Sequence, residues 1–151
     1  MDRLKLVALD DEDLAVLSAH LQDAVLKVGD MTYLAREKRF ALVVNRFDWA
    51  GAASGLRRRR RTGVHFDRVL KVQANRLRTA APDAVVNLLA VIFTPADAPS
   101  GHVTLVFSGG AALRLEVECL EVQMSDLGPV WETQSTPVHD PGGEPASTAE
   151  G

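Results

Sequence analysis

Five consecutive arginines, Arg57 to Arg61, follow the aromatic segment Asn45-Arg46-Phe47-Asp48-Trp49 across a short spacer, Gly51-Ala52-Ala53-Ser54-Gly55. Guanidinium groups grip carboxylates and phosphates through paired N–H donors, and neighbouring aromatic rings stack on planar ligands. Arg46, Asp48, Trp49, Arg57, Arg58, Arg59, Arg60 and Arg61 therefore form a candidate binding corner for an anionic ligand or a protein partner. In an extended strand Arg57, Arg59 and Arg61 would face one side and Arg58 and Arg60 the other, so a flexible loop is the expected setting. With Phe47 and Trp49 as stacking platforms, such a loop suits RNA or nucleotides. A solvated loop whose arginines pair with acidic neighbours explains the same run without a ligand, and is the more economical reading. Arg46 and Asp48 are expected to pair with each other between two aromatic anchors. Asx-turn chemistry at Asp48 and an aromatic lid over the end of a sheet would account for this segment equally well.

Other residues with chemical potential are scattered. His20, His65, His102 and His139 show no metal-ligand spacing, and with one cysteine, Cys119, no metal or other cofactor is expected. Ser108-Gly109-Gly110 is not a nucleophile elbow, and neither a phosphate-binding loop nor a dinucleotide fingerprint is present. Glu116 and Glu118 share a strand face with Arg114, which favours cross-strand ion pairs over acid–base work. A small-molecule enzyme remains the alternative to a binding module. It would need Asp48, His65 or His102 to converge in a pocket where helix meets sheet.

The formal net charge is only -3. Its distribution is lopsided: residues 36 to 78 carry thirteen basic and three acidic side chains, while the remainder carries four basic and seventeen acidic. Such asymmetry points to an anionic partner or to ion pairing inside one sheet, while overall acidity argues against non-specific DNA binding. No apolar run approaches the roughly 18 residues a membrane span needs. The opening residues do not read as a signal peptide, so the cytoplasm is the expected compartment.

The elements that must position these groups are mostly strands. Val103, Leu105 and Phe107, then Leu113, Leu115 and Val117, alternate with more polar residues on either side of Ser108-Gly109-Gly110-Ala111, the pattern of a hairpin. The alternation flips near Cys119 and Leu120, where a β-bulge is expected. Val85 to Phe93 reads as a central strand, Met31 to Leu34 with Phe40 to Phe47 as a second hairpin, and Val64 to Ala74 as strand interrupted at Arg68. Asp126 to Trp131 suggests a short turn or helical cap. Near the front, Asp10 is a plausible N-cap, Leu9 and Leu14 a hydrophobic staple, and Leu14, Leu17, Leu21 and Val25 an apolar stripe running to a Gly29 cap.

These elements predict an α+β domain over residues 1–132. It consists of an antiparallel meander sheet of six to seven strands, curled or barrel-like, covered by one N-terminal amphipathic helix. An exposed edge strand would allow a homo-oligomer. Residues 133–151, rich in Pro, Gly, Ser and Thr, are expected to be disordered.

Four stretches resemble the bacterial family known as domain of unknown function 2948. They are Leu14 to Met31, Phe40 to Trp49, the arginine run with Gly63-Val64-His65-Phe66, and Gly101 to Leu127. The resemblance implies a compact cytoplasmic domain without an assigned activity and carries over no catalytic residues.

Overall fold

Apolar alternation organises nearly every segment of this computed structural model, which describes residues 3–53, 55 and 57–132. In chain order the elements are β1 (Lys5–Ala8), α1 (Asp11–Leu21), β2 (Ala24–Lys27), β3 (Met31–Leu34), β4 (Arg39–Phe47), α2 (Trp49–Ala52), β5 (Arg58–Phe66), β6 (Val69–Asn75), β7 (Val85–Pro95), β8 (Gly101–Phe107), β9 (Ala112–Val117) and β10 (Val122–Glu132). The ten strands form one sheet in the order β1-β10-β5-β4-β2-β7-β8-β9-β6, with β3 branching from β4. The sheet is antiparallel and is not closed. The α+β class and antiparallel sheet match the sequence reading. The six-to-seven-strand meander with a single helix does not: among the described residues there are ten strands and two helices, and β10 returns to lie between β1 and β5.

Four local differences produce that change. Helix α1 starts where expected, the Asp10 carboxylate accepting the Asp13 amide at 2.9 Å, though Leu9 is 62% exposed and contributes little as a staple. It ends at Leu21 rather than Gly29, because Asp23 adopts a left-handed backbone (φ 64) and its amide donates to the Leu88 carbonyl. Ala24 and Leu26 are then buried as alternate residues of β2, hidden from a helical reading because Val25 also fits a 3.6-residue period. The phase flip near Cys119 marks a change of neighbours rather than a bulge: β9 pairs with β6 and β8, whereas β10 pairs with β1 and β5. Asp126 to Trp131 is strand, with a register shift between Asp126 and Val130 and a positive φ of 120° at Gly128. The fourth difference is β5, which begins inside the arginine run.

The expected hairpins form. Val103 pairs with Leu115 and Leu105 with Leu113 across β8 and β9, joined by a turn with positive φ at Gly109 and Gly110. Met31 pairs with Leu42 across β3 and β4. Strand β7 lies between β2 and β8. Leu14, Leu17 and Leu21 of α1 join the inward residues of β4, β5, β7, β8, β9 and β10 in one apolar cluster. The Ser18 hydroxyl, accepting the Val91 amide at 2.9 Å, ties α1 to the bulged part of β7. Among the described residues no helix is long and apolar enough to cross a membrane. Residues 133–151 lie outside the described residues.

Candidate functional site

The arginine run is not a loop. Even-numbered residues of β4, of β5 from Arg60 onward and of β10 from Val122 to Asp126 face the core, and the register sets Arg46 opposite Arg60 and Asp126 opposite Thr62. At one end of the sheet the inward series therefore turns from apolar to charged: Val44 gives way to Arg46, Val64 to Thr62 and Arg60, Met124 to Asp126. Arg46, Arg60 and Arg59 are 1%, 2% and 6% exposed. A strand flanked on both sides satisfies its backbone through the sheet, and carboxylates from distant parts of the chain offset the buried charge.

Asp126 is the anchor. Arg46 grips it with two bonds, Nε to Oδ1 at 2.9 Å and Nη2 to Oδ2 at 2.8 Å. The Thr62 hydroxyl donates to Oδ1 at 2.7 Å and the Leu4 amide to Oδ2 at 2.8 Å. Four donors fill the four acceptor positions of a carboxylate. Asp48 is held separately: its Oδ1 accepts the Gly51 amide at 2.9 Å, and its Oδ2 accepts Arg58 Nη2 at 2.7 Å. The expected Arg46–Asp48 pair is thus replaced by Arg46–Asp126 and Arg58–Asp48. Gly51 makes room for the second pair, since a Cβ there would lie 2.7 Å from Asp48 Oδ2 and 3.2 Å from Arg58 Nη2.

Arg60 is left over. Its Nε stands 3.5 Å from Asp48 Oδ2 and 4.0 Å from Asp126 Oδ2, and neither Nε nor Nη2 has a hydrogen-bond partner among the described residues. Arg58 and Arg60 thus address the Asp48 carboxylate together, while Arg46 holds Asp126.

The remaining corner residues gather on the opposite face and at the rim. Arg59 donates to the Asn45 carbonyl at 3.1 Å and lies 5.9 Å from the Phe47 ring centroid. Phe47 meets Trp49 edge-to-face at 4.7 Å, and Trp49 Nε1 donates to the Gln22 carbonyl at 3.2 Å. Arg61 Nη1 reaches Asn45 Oδ1 at 3.4 Å. Arg57 is exposed; Arg61 and Trp49 are half-buried. Arg46, Asp48, Trp49 and Arg58 to Arg61 thus lie where β4, α2 and β5 adjoin, but on both faces of the sheet, and Arg57 precedes β5. Sequence reasoning missed Asp126, Thr62 and His20. Asp126 could have been found, because it continues the inward phase of Leu120, Val122 and Met124.

Burial alone would raise the Asp126 carboxyl, but hydrogen bonds from Arg46, Thr62 and the Leu4 amide, with the charge of Arg46, hold it below the usual range. Asp48 is likewise lowered: burial is outweighed by the Gly51 amide, Arg58 and the charge of Arg46. His20, on α1, is pushed down by burial and then by Arg46, against Asp126 and Asp48. All three groups favour the deprotonated form in the fold, so each adds stability above its unfolded pKa and loses it as pH falls through its folded one. Melting temperature should therefore fall on acidification, His20 contributing below about pH 6.5 and the carboxylates below about pH 4. A melting temperature flat between pH 7 and pH 3 would contradict this.

The three candidate acid–base groups have separate surroundings. His65 Nδ1 lies 3.2 Å from Asp67, His102 Nε2 lies 3.3 Å from Arg114, and β5 and β8 are four positions apart in the sheet. A half-open pocket of about 240 Å³ lies elsewhere, against Val28, Arg76, Arg78, Val86 and Ser108, and includes none of them. Among the described residues no three His, Cys, Asp or Glu side chains could hold a metal ion.

Neither a curated protein nor a solved structure matches the chain. A family model described as a protein of unknown function, DUF2948, matches residues 4–139. That match spans the sheet, helix α1 and every residue of the arginine–carboxylate cluster, and the chain belongs to the DUF2948 family.

Proposed function

We propose that this protein is a non-enzymatic binding module whose arginine corner docks a carboxylate of an acidic protein partner. The observation that carries this reading is Arg60, a buried guanidinium whose Nε and Nη2 lack hydrogen-bond partners among the described residues. A buried charge short of partners is costly, and one further carboxylate in the group would balance it. Arg57, Arg58, Arg61 and Trp49 form the accessible rim by which such a group would approach.

The nucleic-acid alternative requires a comb of phosphate contacts. Arg59 and Arg60 are buried and Arg58 is engaged by Asp48, which leaves Arg57 and Arg61. On a single strand, two phosphate contacts give a salt slope of about 1.4 and roughly 7-fold weakening between 50 and 200 mM salt, against roughly 130-fold for five. Fluorescence anisotropy with labelled tetraglutamate and octauridylate separates the readings. Tetraglutamate is expected to bind at low salt and octauridylate to bind more weakly. Absence of tetraglutamate binding, or tighter octauridylate binding with a slope near five phosphates, would overturn the reading.

A further inference from the structure

We infer that Arg58 and Arg60 exchange the Asp48 carboxylate when a ligand arrives: Arg58 turns outward to the incoming carboxylate and Arg60 takes its place. This rests on the binding reading above and adds which guanidinium meets the ligand and what replaces it. Both arginines address the same oxygen, Asp48 Oδ2, Arg58 at 2.7 Å and Arg60 at 3.5 Å. Their exposure differs. The Arg58 side chain is 20% exposed and that of Arg60 2%, so a ligand approaching from solvent meets Arg58 first.

Withdrawing an arginine from a buried carboxylate ordinarily strands the carboxylate. Here a replacement is already in place. Arg60 needs to move by less than an ångström to bring Nε from 3.5 Å into hydrogen-bond range of Asp48. Asp126 cannot compete for Arg60, because Arg46, Thr62 and the Leu4 amide already occupy it. Asp48 Oδ1 keeps the Gly51 amide throughout, so the start of α2 stays fixed. After exchange Arg46 holds Asp126, Arg60 holds Asp48 and Arg58 holds the ligand. Every guanidinium in the group then has a carboxylate.

The test compares tetraglutamate binding by the unaltered full chain, Arg58→Met and Arg60→Met. Methionine at position 60 replaces the surplus cation with an apolar chain of similar length, so the fold is expected to persist. Its affinity should nevertheless fall roughly 10- to 100-fold, the worth of one charged hydrogen bond, because Arg60 is the guanidinium that stands ready at Asp48 Oδ2. Arg58→Met should fall by a similar factor. If Arg60→Met binds within twofold of the unaltered protein while Arg58→Met loses affinity, the exchange is refuted and the binding reading stands. If the unaltered protein does not bind, the binding reading itself fails. Should Arg60→Met not fold, the Arg60 Nε–H resonance of the unaltered protein decides. Saturating tetraglutamate is expected to shift it downfield and slow its exchange with water; an unmoved signal overturns the exchange.

Discussion

Asp126→Ala is expected to lose about 3–5 kcal/mol of stability, because it removes one carboxylate that serves four donors and strands a charge on Arg46. Arg46 is 1% exposed, so water cannot replace the lost partner without opening the core beneath α1. Thr62 and the Leu4 amide lose their acceptor in the same step. A loss of that size approaches the whole stability of many domains and should be visible by urea denaturation. The paired change Arg46→Met with Asp126→Leu should cost far less than Asp126→Ala, since replacing a buried ion pair with apolar side chains is often neutral. If Asp126→Ala costs under about 1 kcal/mol, the pair is solvated and the buried cluster is not as described.

Leu105→Ala should cost about 2–5 kcal/mol by the lost transfer free energy and the cavity left behind. Leu105 is fully buried on β8, facing Leu113 across the hairpin and Val91 across the other edge. Thr104→Ala, one residue away on the partly exposed face, is the control and should stay within about 0.5 kcal/mol. Equal losses at both positions would mean that the inward phase of β8 is misassigned.

These two predictions fall on the legible and the illegible parts of the sequence. The β8–β9 and β3–β4 hairpins could be read because each strand's partner follows within a few residues and the alternation is unbroken. The start of α1 could be read because Asp10 and Asp13 are local to each other. Strand β5 could not. An arginine run looks solvated unless its carboxylates are known, and Asp126 comes to Arg46 from 80 residues away. Strand β2 has only four residues, too few for alternation to outweigh the helical spacing of Leu21 and Val25. At the corner, aromatic and arginine types raised a candidate. They were not enough to assign partners, because the choice of carboxylate depends on β10 returning to pair with β5.

Amide hydrogen exchange over residues 58–66 tests the buried strand most directly. Strand β5 is paired on both sides, so its amides should be protected as strongly as those of β8, over residues 101–107, with Arg57 exchanging fast. Exchange of residues 58–61 at the rate of an unstructured chain, while residues 101–107 remain protected, would contradict it.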